Sequence, residues 1–400
     1  MQMKTMKIYN FNQEVERKHT DCIKYDAMEK FWGIDDAFPM WVADMDFKTP
    51  DFIIEALQNR LKHEILGYSF KTQNYYKSIQ KWLKERHNFK VQINELSSSL
   101  GVVTGFSMAI QKFTNKGDKI IVQPPVYFPF FKTIKNADRK VVYNPLIINN
   151  GKIKMDFKDL EEKIDEDTKM LLLCNPHNPG GRAWTRKELQ KLDEICKKHN
   201  LIVVSDEIHA DILYDDKKFT SYADVSEYAA QNSLIFGAPS KTFNIAGMST
   251  SFALSKNPEI LKKYNEILEL NHLAKGNLLG NVALTAAYEN GSAWLDQLTA
   301  YLTDNLNYVE NYFKENIPQI KVYRPDASFL VWLDCKGLGL NDLELKEFFF
   351  SKVKLLLNPG YTFGQGGEGF MRMNIALPKK KLKIALERIK DKVDNLSEIY

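Results

Sequence analysis

The sequence predicts an α/β fold, with one large domain built on a mostly parallel sheet with helices on both faces, and one smaller α+β domain. Its 400 residues are enough for two such units. Four short runs are almost entirely apolar, as in strands that are buried on both faces of a parallel sheet. Segments with helical spacing alternate with these runs, and the pattern changes after about residue 290. The four runs are Lys119–Gln123, Met170–Cys174, Leu201–Ser205 and Leu234–Gly237.

The clearest helix lies between the second and the third apolar run. Its apolar side chains share one face of a helix from about Arg186 to His199. Thr185 and Glu188 have the spacing of a capping box at its start. Strand, helix and strand together form a βαβ unit, which is why we expect parallel strands.

The C-terminal third of the chain predicts the smaller α+β domain. A long amphipathic helix begins near Ala293, and a last helix starts at Pro378, because proline is favoured at the first helical position. Between them, Phe329–Leu333 and Phe370–Asn374 have the composition of strands. The predicted domain bounds are 48–290 for the large domain, and 1–47 together with 291–400 for the small domain.

Composition and charge argue against several classes of protein. The net charge of +4 is small for this length and gives no case for a nucleic-acid surface. No apolar run approaches the ~20 residues of a membrane span, and the N-terminus lacks the apolar core of a signal peptide. The four cysteines are widely spaced and include no CxxC pair. We therefore predict a cytoplasmic protein with reduced thiols and with no nucleic-acid or membrane partner.

Three polar motifs follow strand-like runs and contain Asn178, Asp206 and Lys241 in that order. Ligand crevices of open α/β sheets lie at the carboxyl ends of the strands. A lysine that bonds covalently to the cofactor, an acid for a pyridine nitrogen and an amide for a ring oxygen form the layout of a pyridoxal phosphate (PLP) site. The sequence therefore predicts PLP as the cofactor. The motifs are Asn175–Arg182, Ser205–His209 and Ala238–Gly247.

Each of these three side chains has an expected task. Lys241, once the substrate amine has displaced it from the cofactor, is the candidate general base. Asp206 is expected to keep the pyridine nitrogen protonated, and Asn178 to donate a hydrogen bond to the ring oxygen. The competing interpretations are a surface lysine, a helix N-cap aspartate and a turn asparagine. The presence of all three motifs argues against them.

Five further residues complete the predicted cofactor site. Val103 and Thr104 open a helical segment whose free backbone N–H groups are candidates for binding phosphate, with the Ser240 hydroxyl beside them. Tyr127 follows a strand and two prolines, so it is a catalytic candidate that stacks on the pyridine ring, with a core tyrosine as the alternative. His209 either orients the nearby carboxylate or contacts the cofactor, and a structural histidine fits the pattern equally well.

Arg372 is the candidate for substrate recognition. A guanidinium binds a carboxylate through two parallel hydrogen bonds, so Arg372 is expected to hold the carboxylate of an amino-acid substrate, with a surface salt bridge as the alternative. Two other patterns are rejected. Gly364–Gly369 matches GxGxxG but precedes a strand instead of a helix. Cys174 and His177 have CxxH spacing without further ligands, so no metal site is predicted.

Taken together, the motifs resemble those of the class I and II aminotransferases, PLP enzymes of fold type I. Within that family the chain is most similar to the cystathionine β-lyase and C–S lyase branch, and the similarity covers essentially the whole chain. The resemblance implies a homodimer with active sites at the subunit interface. It also implies that Tyr68 reaches the cofactor phosphate of the partner subunit. The segments that resemble this branch are Pro39–Phe47, Ser205–Asp211 and Ala238–Asn244.

The chain departs from the general aminotransferase pattern at three positions. Ser249 lies eight residues after the lysine, where many members carry a phosphate-binding arginine. Ala238 stands where many members have serine, and His209 where tyrosine is common. All three departures agree with the lyase branch.

The expected activity is α,β-elimination on sulfur amino acids, of the cystathionine β-lyase type, which releases thiol, pyruvate and ammonia. An aminotransferase that acts on an L-amino acid and a 2-oxo acid is the alternative, because both reactions begin with loss of the α-proton. A third interpretation is a regulatory protein that binds PLP without turnover. The intact set of lysine, aspartate and asparagine argues against it.

Overall fold

The computed structural model describes residues 7–149 and 151–399, in which short strands alternate with helices. The strands are β1 (Phe38–Pro39), β2 (Leu96–Ser99), β3 (Lys119–Val122), β4 (Lys140–Tyr143), β5 (Ile147–Asn149), β6 (Lys152–Lys154), β7 (Thr168–Cys174), β8 (Ile202–Asp206), β9 (Ser233–Gly237), β10 (Ser251–Leu254), β11 (Lys321–Tyr323), β12 (Leu330–Asp334), β13 (Leu355–Leu356), β14 (Asn358–Pro359) and β15 (Phe370–Asn374). The helices are α1 (Ile23–Asp26), α2 (Met28–Trp32), α3 (Asp51–Leu61), α4 (Gln73–His87), α5 (Val102–Phe113), α6 (Pro129–Asn136), α7 (Phe157–Glu162), α8 (Arg186–Lys198), α9 (Glu227–Gln231), α10 (Pro258–Leu270), α11 (Leu278–Asn290), α12 (Ser292–Asn316), α13 (Asp342–Glu347), α14 (Lys379–Asp394) and α15 (Leu396–Ile399).

A seven-stranded sheet forms the centre of the molecule, in the order β2-β10-β9-β8-β7-β3-β4. The pairs from β9 to β4 are parallel, whereas β10 is antiparallel to both of its neighbours. The four apolar runs of the sequence form β3, β7, β8 and β9, which confirms the prediction of a mostly parallel sheet.

Helices cover both faces of this sheet, as predicted. Along β3, Ile120 and Val122 pack into a core with Phe106 of α5, together with side chains of α6 and α10. Ile121 points to the opposite core, which contains Leu189 of α8 and side chains of α4. Because successive side chains of a strand alternate between the two faces, each parallel strand is buried on both sides.

The predicted βαβ unit is β7–α8–β8. Thr185 Oγ1 accepts a hydrogen bond from the backbone N–H of Glu188 at 3.3 Å, and Glu188 Oε2 accepts one from the backbone N–H of Thr185 at 2.8 Å. This reciprocal pair is the capping box that the sequence predicts. It fixes the start of α8 and therefore the return of the chain into β8.

A second sheet, β11-β12-β15-β14, is antiparallel throughout. It carries the two C-terminal strands predicted from sequence and lies in the same apolar core as α12 and α14. Helix α14 begins at Lys379, one residue later than predicted, because Pro378 has an extended ψ of 136° and occupies the N-cap position. The domain bounds at residues 48 and 290 stay a prediction.

Candidate active site

A cleft of about 260 Å³ lies at the carboxyl ends of the central parallel strands. Asp206 ends β8, Cys174 ends β7, and Lys241 follows β9 on a short turn. This is the position in which open α/β sheets bind ligands. The predicted site residues that line the cleft are Val103, Thr104, Tyr127, Asn178, Asp206, His209, Ser240 and Lys241.

Asp206 is a buried carboxyl group with few partners. Its Oδ1 accepts a hydrogen bond from the backbone N–H of Ile208 at 3.1 Å. Burial raises the pKa of Asp206 to about 6, although the Ile208 N–H and the charge of Lys241 both oppose that rise. Among the described residues Asp206 forms no salt bridge, so its carboxylate is available to a positively charged group in the cleft.

Lys241 lines the same cleft with its amine. Its Nζ donates a hydrogen bond to the carbonyl oxygen of Ala43 at 2.7 Å. Burial lowers the pKa of Lys241 to about 8, and Arg372 adds to this effect, while Asp44 and Asp206 oppose it. An amine with a pKa near 8 is partly neutral at neutral pH, as a nucleophile or general base must be.

Asn178 is held in one orientation by a buried arginine. Arg372 Nη1 donates a hydrogen bond to Asn178 Oδ1 at 2.9 Å. The backbone of Asn178 is also fixed, since its carbonyl accepts from the N–H of Tyr127 at 3.1 Å and its N–H donates to Cys174 Sγ at 3.3 Å. Its oxygen is bound to a cation, and no group in the described part of the chain accepts a hydrogen bond from its NH₂ group, which can therefore donate to a ligand in the cleft.

Arg372 lies on β15 and is buried, which rules out the surface salt bridge. Its Nη2 donates to the carbonyl of Trp41 at 2.9 Å and to Asn358 Oδ1 at 2.5 Å, and the guanidinium lies 4.9 Å from the ring centre of Phe363. Within residues 7–149 and 151–399 no carboxylate pairs with it, and its Nε is buried without a hydrogen-bond partner. Burial lowers the pKa of Arg372 to about 10. The cation is therefore available for an incoming carboxylate.

Tyr127 and His209 both line the cleft, with different surroundings. Tyr127 lies on the loop after β3, where burial raises its pKa. The Nδ1 atom of His209 is 3.1 Å from Ser328 Oγ, and burial lowers the pKa of this imidazole to about 3, so the ring is neutral. Among the described residues, His209 makes no hydrogen bond to Asp206, so it does not orient that carboxylate directly.

The first turn of α5 forms one end of the cleft. Its N-cap is Gly101, which has a φ of +115° and offers no side-chain oxygen to cap the helix. Val103 and Thr104 follow in the first turn, where backbone N–H groups have no partner within the helix. These N–H groups and the Ser240 hydroxyl lie around the same space. A phosphate group fits such a helix N-terminus by charge and by hydrogen bonding.

Some cleft residues are not predicted from the sequence as members of the site. Ala43 contributes a carbonyl oxygen, for which no side chain could give a signal. Cys174 lines the cleft and its Sγ accepts a hydrogen bond from the backbone N–H of Asn178. Thr250 lines the cleft next to Ser249. Ser249, noted only as a departure from the family pattern, has a left-handed φ of +45°. Its position eight residues after Lys241, where many family members bind the phosphate, is the signal that could have identified it as a site residue.

Tyr68 lies outside the cleft of its own chain. Its side chain is 97% exposed, and Lys275 Nζ lies 4.6 Å from the centre of its ring. Gly364–Gly369 forms a turn that leads directly into β15, which agrees with the rejection of a dinucleotide loop. The described part of the chain holds no group of three His, Cys, Asp or Glu side chains arranged for a metal ion. None of its helices has both the length and the apolar character needed to cross a membrane.

The donor set of the cleft matches the chemical groups of PLP. The unpaired buried carboxyl of Asp206 suits a protonated pyridine nitrogen, and the Asn178 NH₂ group suits a ring oxygen. The uncapped turn of α5 suits a phosphate, and the Lys241 amine suits an aldehyde carbon. The buried Arg372 guanidinium is left for a substrate carboxylate.

Comparisons with known proteins give the same assignment. Residues 40–389 match the family model described as aminotransferase class I and II. The chain is 43% identical to the cystathionine beta-lyase PatB of Bacillus subtilis, over 95% of this chain and 99% of that protein. It is 36% identical to cystalysin from Treponema denticola, whose structure contains PLP, with a TM-score of 0.94 over 98% and 100% of the two chains.

A further solved structure is the PLP-bound C-S lyase from Staphylococcus hominis, with a TM-score of 0.91 and 31% identity over 96% and 98% of the two chains. The fold is therefore that of these PLP enzymes, as the sequence predicts. From the family match and the relatives together, the chain belongs to the class I and II aminotransferase family.

Proposed function

We propose that this protein is a PLP-dependent C–S lyase that performs α,β-elimination on sulfur amino acids and releases thiol, pyruvate and ammonia. One observation carries the proposal: the Lys241 amine, the Asp206 carboxyl and the Asn178 amide line one cleft. Asn178 also contacts the buried guanidinium of Arg372, which pairs with no carboxylate among the described residues. The relatives named cystathionine beta-lyase and C-S lyase support elimination over transamination.

In this proposal the cofactor is held by groups at both ends of the cleft. The N–H groups of Val103 and Thr104 and the Ser240 hydroxyl bind its phosphate, and Tyr127 stacks on its ring. Asp206 pairs with the pyridine nitrogen and Asn178 donates to the ring oxygen, while His209 contacts the cofactor as a neutral side chain. When bound, PLP supplies an electron sink for the carbanion at the substrate's α-carbon.

The protein's own groups then orient the substrate and move its proton. Arg372 binds the substrate carboxylate, which places the α-carbon near Lys241. The Lys241 amine accepts the α-proton at Nζ, and its pKa of about 8 lets it take and release that proton near neutral pH. The proton that Nζ then carries is available to the departing sulfur.

Product analysis separates elimination from amino transfer. The purified protein, loaded with PLP, is incubated with L-cystathionine, and pyruvate and free thiol are followed. In a parallel reaction, common L-amino acids and 2-oxoglutarate are tested for glutamate formation. We expect pyruvate and thiol in equal amounts, and little glutamate. Robust glutamate formation with negligible pyruvate would establish the aminotransferase alternative. The absence of both products would favour a regulatory protein.

The proposal includes a homodimer in the cytoplasm. Tyr68 belongs to a stretch of exposed apolar side chains that includes Ile65, Leu66 and Phe70, and such a patch is typical of an interface. We propose that this stretch packs on a second copy and that Tyr68 binds the partner's cofactor phosphate. The domain bounds at residues 48 and 290 belong to the same proposal, with the cleft between the two domains.

A further inference from the structure

We propose that Asn244 is a positioning residue for the base Lys241. Its side chain connects two parts of the chain by hydrogen bonds: the turn that contains Lys241, and segment 40–47. This connection places the Ala43 carbonyl where it accepts a hydrogen bond from the Lys241 amine. This inference rests on the proposed function, because it takes Lys241 as the base. It extends that function to a residue that does not line the cleft. The sequence places Asn244 in the lysine motif without giving it a task.

The Asn244 amide binds segment 40–47 through three hydrogen bonds. Its Oδ1 accepts from the backbone N–H of Met45 at 2.9 Å, and its Nδ2 donates to the carbonyls of Met45 and Phe47 at 2.9 and 2.8 Å. In return, Thr49 Oγ1 donates to the Asn244 carbonyl at 3.1 Å. Asn244 adopts a left-handed φ of +57°, a conformation that asparagine and glycine tolerate best.

Segment 40–47 is fixed along most of its length by other side chains. Asn374 Nδ2 donates to the carbonyls of Val42 and Asp44 at 2.7 and 2.6 Å, and Arg372 binds the carbonyl of Trp41. The carbonyl of Ala43, in the middle of these, accepts from Lys241 Nζ. Asn244 lies three residues after Lys241, so its hydrogen bonds set the spacing between the amine and this acceptor.

The acceptor matters because the base becomes charged during the reaction. When Lys241 takes the α-proton, the substrate C–H bond breaks, a new N–H bond forms at Nζ, and the electron pair stays on the substrate. The resulting ammonium is disfavoured by burial, which already lowers the pKa of Lys241. A carbonyl oxygen binds an ammonium more strongly than a neutral amine. The Ala43 carbonyl therefore stabilises the proton-bearing form of Lys241.

The matched control is Asn144, which is buried and also makes one acceptor and two donor bonds. Its Oδ1 accepts from Gln123 Nε2 at 2.9 Å, and its Nδ2 donates to Asp156 O and Asp159 Oδ2 at 3.0 and 2.8 Å. None of these partners belongs to segment 40–47 or to the lysine turn. Asn244→Gly and Asn144→Gly therefore each remove three hydrogen bonds, and only the first loosens the contact between Lys241 and Ala43.

The first test uses cofactor-free protein. PLP is added over a range of pH, the adduct is trapped with borohydride, and the initial rate of labelling at Lys241 is measured by peptide mass spectrometry. Labelling requires the neutral amine, so its midpoint reports the pKa of Lys241. We expect Asn244→Gly to lower that midpoint by about half to one pH unit, and Asn144→Gly to leave it unchanged. The charged groups Asp44, Asp206 and Arg372 are the same in both variants.

The second test uses the loaded enzyme with L-cystathionine. We expect Asn244→Gly to lower kcat about ten- to hundredfold with little change in KM, because a displaced base affects proton transfer more than binding. The isotope effect with α-deuterated substrate should rise. An unchanged midpoint, or an equal fall in both variants, would overturn the role of Asn244. If Asn244→Gly does not fold, Asn244→Ser is compared with Asn144→Ser, and a lower labelling midpoint in the first variant alone is the expected result. If wild type makes no pyruvate, the lyase proposal fails and the labelling test still decides about Asn244.

Discussion

Lys241 and Lys71 are two amines whose pKa values burial lowers to about 8, and only Lys241 lines the cleft. Lys71 instead donates to the carbonyl of Ala274. A lowered pKa therefore does not by itself identify the residue that bonds to the cofactor. The cleft that Lys241 shares with Asp206 and Asn178 does, because all three residues line the space that a ligand would occupy.

We expect Lys241→Ala to abolish covalent capture of PLP, with loss of the visible absorbance of the loaded protein. Lys71→Ala is the control, since it removes an amine of similar pKa outside the cleft. The measurement is borohydride reduction followed by peptide mapping. A reduced adduct of wild-type amount in Lys241→Ala, on any other lysine, would show that Lys241 is not the attachment site.

We expect the Asp206 carboxyl to make the stability of the cofactor-free protein depend on pH. Burial raises the pKa of Asp206 from 3.8 to about 6, because the folded protein favours the neutral carboxyl. The neutral carboxyl therefore contributes fully to the free energy of unfolding below pH 3.8, and this contribution is lost as the pH rises through 6. The loss corresponds to roughly 3 kcal/mol. Asn is neutral at every pH, so Asp206→Asn should lack this component.

Urea unfolding of cofactor-free wild type and Asp206→Asn at about pH 5 and about pH 8 measures the upper part of this loss, roughly 1.4 kcal/mol. We expect the variant to gain stability relative to wild type at the higher pH. The Asp206→Asn variant should still bind PLP, but the loaded variant should have lost nearly all turnover. The difference between the two proteins cancels the part of the Glu207 contribution that comes from burial, the main cause of its raised pKa, and keeps the part that comes from the charge of Asp206. A stability difference that is independent of pH would contradict the account.

Among elements, α5 has to approach the sheet closely to bring its N-terminus to the cleft. A Cβ atom at Gly105 would lie 2.3 Å from a ring carbon of Phe236 on β9. Glycine to alanine inside a helix is ordinarily stabilising, so the sign of the effect is informative here. We expect Gly105→Ala to destabilise the protein by about 1–3 kcal/mol and to weaken PLP binding.

Thermal unfolding and PLP titration measure both effects. For thermal unfolding, Gly247→Ala is the control, because a Cβ atom there meets nothing within 4 Å. If Gly105→Ala instead raises the melting temperature and leaves PLP affinity unchanged, the close packing of α5 does not position the phosphate site.

The sequence was sufficient for the strands that are apolar on both faces, since β3, β7, β8 and β9 follow directly from their composition. It did not identify β2, which contains three serines, or β10. These two strands form by pairing with each other, with Ser251 opposite Ser99, and such a long-range contact leaves no local pattern.

The same limit applies to the cleft. Side chains such as Asp206 were predicted, whereas the Ala43 carbonyl depends on how segment 40–47 folds back.

For the molecule as a whole, the proposed dimer predicts complementation between two inactive variants. Tyr68 is assigned to the partner's site and Lys241 to its own, so a hybrid of Tyr68→Ala and Lys241→Ala contains one intact site and one doubly altered site. Random mixing of subunits should restore about a quarter of wild-type activity. The measurement is turnover after co-refolding, with each variant alone as control. No recovery in a verified hybrid would mean that Tyr68 does not act across the interface.

The central claim is that this site eliminates sulfur instead of transferring the amino group. Both reactions begin with removal of the α-proton by Lys241, so the decisive quantity is the fate of one substrate when both outcomes are available. The most direct measurement is the ratio of pyruvate to glutamate formed from L-cystathionine in a single reaction that also contains 2-oxoglutarate. We expect a large excess of pyruvate, matched by free thiol. A large excess of glutamate would contradict it.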